Sequence, residues 1–472
     1  MARTAVSKET PGLPQPRRAQ AMFVIVLGLA LAVLDSTLMN LALPDIARDV
    51  GAQAAHSIWV VNGYQMAVLV LLLPLASFGD LLGYRRIYLG GTALFTAASL
   101  VAMLADSLPS LVAARVVQGL GAAGIMSVNA ALVRLIYPPD LLGRGVAINS
   151  LTVAAASVAG PSVAAAILSI GPWPWLFAVN LPLGLLTLWL GRRVLPANAP
   201  AARPGKRFNA LDVLLNVLMF ALVFAGADAL GVRSGNGQGA PLLGWLMLGA
   251  GVLVGVFYLR RQTALALPLF PVDLMRIPVF ALSMASSVSA FCAQMLAYVA
   301  LPFLLLDGLG RSHAQAGLLI TAWPLAIVVT APLVGRYIGR WPDGLFGGVG
   351  MVLMAAGLAL LAMLPAQPGD IAIAWRMALC GVGFALFQSP NNHAIVTTPP
   401  PHRSGAASGM LGTARLTGQT LGAMLVAIVF SIWNPHDGRG PLVALGLAAG
   451  SALLAAVFSS ARMPANKRRV SA

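Results

Sequence analysis

The sequence predicts an all-α polytopic membrane protein: fourteen transmembrane helices, arranged as two six-helix bundles plus two inserted helices. Three observations carry that prediction. Hydrophobic residues fill 58% of the 472 positions and charged residues only 9%, with a mean hydropathy of +0.84, whereas a soluble domain carries about 25% charge. Apolar runs of about 20 residues, the length a helix needs to cross a bilayer, recur along the whole chain. Segments of the second half also echo segments of the first.

The runs fall near 22–43, 57–78, 87–106, 108–133, 146–170, 174–195, 211–231, 241–259, 278–306, 313–335, 345–364, 371–396, 405–432 and 441–461. The first follows Arg17 and Arg18 and passes Ala30-Leu31-Ala32, as a signal peptide would. Its apolar helix continues to Leu43, long enough to span, so it reads as an uncleaved first helix. With the N-terminus in the cytoplasm, 23 of the 30 Lys and Arg fall on the cytoplasmic side. Arg48, Arg233, Arg311 and Arg439 fall outside, and Arg115, Arg376 and Arg415 lie within spans. This bias predicts cytoplasmic termini and an even number of spans.

Residues 115–129 (RVVQGLGAAGIMSVN) echo 376–391, Arg144-Gly145 echoes Arg403-Ser404-Gly405, and 76–83 with Arg85-Arg86 echoes 335–340. Spans 1–6 then correspond to spans 9–14. The expected divisions are a cytoplasmic tail over 1–21, a first bundle over 22–195, a linker with two extra helices over 196–260, a second bundle over 261–461 and a basic cytoplasmic tail over 462–472. Same-orientation repeats with a substrate site between them are a transporter architecture.

The net charge of +16 comes as one to three basic residues between apolar runs. A nucleic-acid face would gather them on a soluble domain, so no nucleic-acid partner is expected. Cys292 and Cys380 lie in apolar runs and read as core residues without a disulfide. The five histidines have no ligand spacing, so no metal is expected, and there is no GxxxxGK[ST] loop for ATP.

Asp35 is a carboxylate inside the first apolar run, where a charge costs several kcal/mol unless it is paired or wetted. It lies eight residues from Leu43, about 12 Å along a helix. Arg115 lies seven residues from Leu108, about 10 Å. Both ends are expected on the outer side, so acid and base share a depth. Burial disfavours the charged carboxylate and the arginine favours it, so a proton can be taken up and released there. A static pair that fixes the first span to the fourth is the plainer alternative, compatible with the first. Arg376 and Arg415 lack an acid at matching depth, and either serve anionic substrates or bridge helices. Asp228 is a second acid near the outer end of the seventh span, and Asp212 reads as the cap of that span. Trp59, Tyr64, Gln65, Asn149, Gln294, Tyr298, Phe384, Gln388, Asn391, Arg415 and Gln419 are candidate cavity linings. The Gln388–Asn392 stretch stands out, because Pro390 frees backbone groups that polar neighbours must satisfy.

Several of these residues carry a family resemblance. Leu34-Asp35-Ser36-Thr37 with Asn40 and Leu41-Ala42-Leu43-Pro44 is similar to an LDxTxxNxALP signature. Asp80, Gly83, Arg85 and Arg86 resemble a GxLaDrxGrrr loop, with Ala76 and Tyr84 in place of its Gly and Arg. Arg115, Gln118, Gly119 and Gly121 resemble RxxQGxG, and Gly160-Pro161 resembles the helix-5 antiporter motif. Trp173-Pro174-Trp175-Leu176-Phe177 with Asn180-Leu181-Pro182-Leu183-Gly184 resembles WRWxFxxNxPxG. Over about residues 20–460 the chain thus resembles the major facilitator superfamily, specifically its fourteen-helix branch of drug:proton antiporters.

The resemblance implies proton-coupled export of a small hydrophobic substrate, expected to be cationic. Export would be driven by the proton gradient without a cofactor and without enzymatic catalysis. It implies proton coupling at Asp35 and Arg115, a cytoplasmic gate latch at Asp80, Gly83, Arg85 and Arg86, and a bend at Gly160 and Pro161. The expected setting is the lipid bilayer of a bacterial inner membrane, since 27 Arg against 3 Lys suggest a GC-rich bacterial genome, and a monomer is expected. Ala156, Ala164 and Ala165 depart from the Gly pattern of span 5 and weaken the antiport part of the expectation. Gly339 stands where the first copy of the loop has Asp80, which leaves the charged latch to the first copy. A transporter of lipids or anionic metabolites is the alternative. A receptor or scaffold would need a soluble domain that no hydrophilic stretch here is long enough to form.

Overall fold

The structure, a computed structural model, describes residues 12–138, 141–197, 210–235, 241–263, 270–337, 342–365, 367–399, 404–435 and 438–462. All fourteen expected spans are helices. They are α1 (Arg17–Asp49), α2 (Trp59–Leu82), α3 (Tyr84–Met103), α4 (Leu108–Ile136), α5 (Leu142–Ile170), α6 (Asn180–Val194), α7 (Ala210–Gly235), α8 (Pro241–Thr263), α9 (Pro278–Phe303), α10 (His313–Gly335), α11 (Asp343–Ala362), α12 (Asp370–Thr397), α13 (Ser404–Ile432) and α14 (Arg439–Ser460). Where the apolar pattern is sharp the ends are set by local chemistry. Ser107 and Ser110 form a capping box at the start of α4, and Ser312 and Gln315 do so for α10, each satisfying amides the helix itself cannot. α9 runs into a π-helical turn, Leu304–Gly308, just after Pro302. Fourteen crossings return the chain to the side on which it began, called here the terminal side; the other is the far side.

The packing repeats with a shift of eight helices. α1 packs on α5 and α6, α2 on α4, and α3 on α4; likewise α9 packs on α13 and α14, α10 on α12, and α11 on α12. The same small residues make the repeated contacts. A Cβ at Gly119 of α4 would run into the Tyr64 carbonyl of α2, and one at Gly381 of α12 into the Trp323 carbonyl of α10. Lipid gives helices no hydrophobic reason to associate, so such close backbone approach is what holds a membrane bundle together. The halves meet through α5 against α10 and α2 against α13, two contacts that the repeat exchanges.

The inserted α7 and α8 pack on each other, and α7 lies on α13 and α2. Asn216 Nδ2 donates to the Val70 carbonyl at 2.7 Å. Asp212, expected to cap α7, sits in its first turn and also pairs with Arg261 Nε of α8 at 2.7 Å. The side chain of Asp228 lies outside the described residues, as do Gly339, Arg340 and Arg403. Large apolar side chains such as Leu151, Leu253, Leu318 and Ile371 point outward from the bundle, where a bilayer would cover them.

Candidate functional site

The site begins with one charge that cannot be left bare. Asp35 and Arg115 are both fully buried, and Arg115 Nη1 donates to Asp35 Oδ2 at 2.5 Å. The other carboxylate oxygen, Oδ1, accepts from Gln118 Nε2 at 2.9 Å and from Asn180 Nδ2 at 2.7 Å. Arg115 also donates through Nε to the Val60 carbonyl at 3.0 Å and through Nη1 to Gln118 Oε1 at 2.6 Å. Gln118 Nε2 reaches Ser99 Oγ at 2.8 Å. Five helices, α1, α2, α3, α4 and α6, thus meet on one ion pair inside the first bundle. Three donors on the carboxylate are the compensation that a charge in a low-dielectric interior requires.

Aromatic rings close this site. Tyr64 places its ring 4.3 Å from the Arg115 guanidinium and Phe177 lies 5.8 Å from it, both within cation–π range. The Tyr64 hydroxyl donates to the Ala32 carbonyl at 3.1 Å. Gly119 lets α4 approach α2 closely enough for Arg115 to reach that face.

One turn further along α1, Thr37 and Asn40 leave the ion pair and line a pocket between the halves, with Ser157 and Pro161 of α5, Tyr298 of α9 and Ile320 of α10. Gly160 sits against Thr37, and a Cβ there would collide with the Thr37 hydroxyl. The helix-5 motif is therefore a contact of α5 with α1, next to the proton-bearing candidate. Pro161 offers its carbonyl side to Gly317 of α10, and Ser162 and Thr321 hydroxyls bond at 2.9 Å.

On the far side the halves are tied by charge. His313 bonds Asp45 at 2.6 Å and Arg48 lies 3.7 Å from Asp307. α4 and α5 share no packed face with α12 and α13 among the described residues.

The loop residues lie at the terminal ends of α2 and α3. Tyr84, in place of the motif's Arg, donates to Asp80 Oδ1 at 2.6 Å. Gly83 makes the turn with φ +98°, a conformation that favours glycine. Arg85 bonds the Arg192 carbonyl at the end of α6, and Arg86 is exposed.

The candidate cavity linings divide. Tyr298 lines the pocket, and Gln65 Nε2 reaches Met295 Sδ across the halves at 3.7 Å. Gln294 is buried beside Tyr298, and Arg415 is half-buried within electrostatic reach of Tyr64 and Tyr298. Gln388 and Gln419 are half-buried on α12 and α13, and Trp59 is half-buried at the far end of α2. Three others are held within their own bundle. Phe384 is core, packed edge-on against Phe291 at 5.4 Å. Asn149 bonds Asn129 and so pins α5 to α4. Asn391 is enclosed in the second bundle, donating to Ser287 Oγ at 2.7 Å and accepting from Arg462 Nη1 at 2.8 Å.

The sequence reading singled out neither Ser99 nor Ser157, which carry no signal beyond being polar. Gln118 and Asn180 were visible inside their motifs but had no assigned partner. Cys292 and Cys380 are buried and free, and no metal-capable cluster occurs among the described residues.

Two repeated six-helix bundles that meet around a shared pocket, beside a sealed intramembrane ion pair, define a membrane carrier. The chain belongs to the Major Facilitator Superfamily, whose family model matches residues 25–422 and again 282–472. The uncharacterized transporter YebQ of Escherichia coli is 51% identical over 98% of this chain and 99% of its own length. The multidrug resistance protein Stp of Mycobacterium tuberculosis is 29% identical over 89% of this chain and 79% of its own. A crystal structure of a POT family transporter in complex with a thioalcohol conjugated peptide shares the fold, with a TM-score of 0.72 at 15% identity, covering 94% of this chain and 95% of that one. Relatives named for drug resistance are consistent with the drug:proton antiporter branch that the motifs resemble.

Proposed function

We propose that this chain is a proton-coupled exporter of hydrophobic small molecules in a bacterial inner membrane, with both termini in the cytoplasm. The observation that carries the reading is Asp35, a fully buried carboxylate held by Arg115, Gln118 and Asn180. Protonation of Asp35 removes the negative charge that holds Arg115 to α1. Arg115 keeps its bonds to Val60 and Gln118, so α1 is the element released. α1 touches α5 through Thr37 and Gly160 and lines the pocket through Thr37 and Asn40. A shift of α1 therefore reaches both the pocket and the junction of the halves, which is what alternating access needs. Asp80, Gly83, Arg85 and Arg86 serve as the latch on the cytoplasmic side, with Tyr84 as the partner of Asp80. The orientation is supported by the excess of Lys and Arg on the terminal side.

The test is efflux of hydrophobic fluorescent compounds from cells expressing wild type or Asp35→Asn, with and without a protonophore. Efflux that the protonophore stops and Asp35→Asn abolishes at normal expression is the expected result. Protonophore-insensitive efflux, or full activity of Asp35→Asn, would overturn the coupling.

A further inference from the structure

Asp35 is closed off inside its own bundle, so it cannot meet cargo in the cleft as the structure stands. The charge that does face the junction of the halves is positive. Arg415 lies on α13, three residues before Gly418 and seven before Gly422. A Cβ at Gly418 would strike the Val288 carbonyl, and one at Gly422 the Cys292 carbonyl. This small-residue seam draws α13 onto α9 and sets the Arg415 guanidinium 5.8 Å from the Phe291 ring. From the other half, Tyr64 of α2 stands within electrostatic reach of Arg415, as does Tyr298 of α9.

Arg415 has no counter-charge among the described residues. Its Nε is buried without a hydrogen-bond partner among the described residues, and its electrostatic neighbours are the two tyrosines rather than a carboxylate. A second donor, beside Tyr298, is also unused: Trp323 is fully buried, its ring centroid 5.2 Å from that of Tyr298, and its Nε1 has no hydrogen-bond partner among the described residues. A half-buried cation at membrane depth without a counter-charge and an orphaned buried N–H are each costly. Arg376 shares the partnerless Nε but is otherwise engaged: its Nη1 donates to the Ala372 carbonyl and it stacks on the exposed Trp375.

We propose that Arg415, with Tyr64 and Phe291 beside it and Tyr298 and Trp323 behind, binds the anionic group of an aromatic organic anion, which is the cargo class of this carrier. The guanidinium takes the carboxylate, sulfonate or phenolate in a charge-assisted hydrogen bond. The Trp323 N–H supplies a second donor, and the rings pack the aromatic body. Because Tyr64 and Arg415 come from opposite halves, the site is complete only while the halves are together there. The Tyr64 ring also covers Arg115, so one side chain separates cargo from the proton site. The proposal rests on the reading of the chain as a carrier of hydrophobic compounds and replaces the cation expected from the sequence.

The test uses the full chain in lipid nanodiscs, with fluorescein as the aromatic anion and ethidium as the cation, each followed by fluorescence anisotropy. Arg415→Gln weakens fluorescein binding about tenfold or more, the worth of one charge-assisted hydrogen bond. Arg415→Lys falls between the two, Trp323→Phe loses less than Arg415→Gln, and ethidium binding does not weaken in any of them. Absence of fluorescein binding by wild type, or equal binding by Arg415→Gln, overturns the proposal. So does a parallel loss of both dyes in Arg415→Gln with a lowered melting temperature, which would make Arg415 a helix brace. Arg415-dependent fluorescein binding without protonophore-sensitive efflux would instead sink the exporter reading and leave the anion site standing.

Discussion

The two bundles are built alike and charged differently. Gly119 of α4 and Gly381 of α12 seat their helices against Tyr64 and Trp323 in the same manner, and in that register Arg376 falls one residue away from the place of Arg115. Yet Arg115 is fully buried on a carboxylate, while Arg376 bonds its own helix and stacks on an exposed ring. The arginine of the second bundle that is buried among side-chain hydrogen-bond partners is Arg462, at the terminal side beyond α14. It holds Asn391 Oδ1 at 2.8 Å and Ser283 Oγ at 3.0 Å. One backbone plan thus hosts a paired charge inside the first bundle, and in the second an arginine turned to the junction together with a hydrogen-bonded arginine staple at the terminal edge. The lesson is that the repeat conserves small-residue contacts, which fix helix spacing, and leaves charges free to specialise.

Breaking the ion pair is the largest expected effect. Arg115→Leu leaves Asp35 charged and buried, and such a change costs about 3–5 kcal/mol. Arg376→Leu removes a bond to its own helix and is expected to cost about 1 kcal/mol or less. Thermal unfolding of the two purified variants checks the contrast; equal losses would mean that Arg376 is as embedded as Arg115. Next comes Arg462→Gln. Burial lowers the Arg462 guanidinium to about 10, which still leaves it charged at neutral pH, so its hydrogen bonds are charge-assisted. Their loss is offset by relief of the buried charge, for a net cost of about 1–2 kcal/mol. The same unfolding assay reads it, and an unchanged midpoint would show that the second bundle does not depend on its staple.

What could be read in advance follows the same division. The fourteen spans were legible because lipid leaves an apolar run of that length no structure but a helix. The partnership of Asp35 and Arg115 was legible because depth along a helix follows from residue number. Azimuth does not. Asn391, Asn149 and Phe384 lie within spans but meet partners of their own bundle, and nothing local in the sequence gives that rotation. The polar break around Pro390 was a true signal with an unseen partner: Asn391 bonds Arg462, which in sequence looks like one more basic residue flanking a span. Ser99 completes the Gln118 contact and is one of many serines in apolar helices.

The smallest expected effect concerns the far side, where the bundles are joined by both ions and close packing. His313 and Asp45 are 2.6 Å apart, and Arg48 is 3.7 Å from Asp307 with over half of its own side chain in solvent. Partly exposed pairs of this kind contribute about 0.2–1 kcal/mol, and they weaken further in salt. The α5–α10 seam is tighter: a Cβ on Gly317 would overlap Ala165 and press on the Pro161 carbonyl. His313→Asn and Arg48→Ala should therefore each shift the unfolding midpoint only slightly, whereas Gly317→Val, which forces α10 off α5, should shift it more. If instead either ionic variant exceeded Gly317→Val, the far-side junction would be an electrostatic clasp. The two bundles would then be held together by the charges in which they differ and not by the small residues that they share.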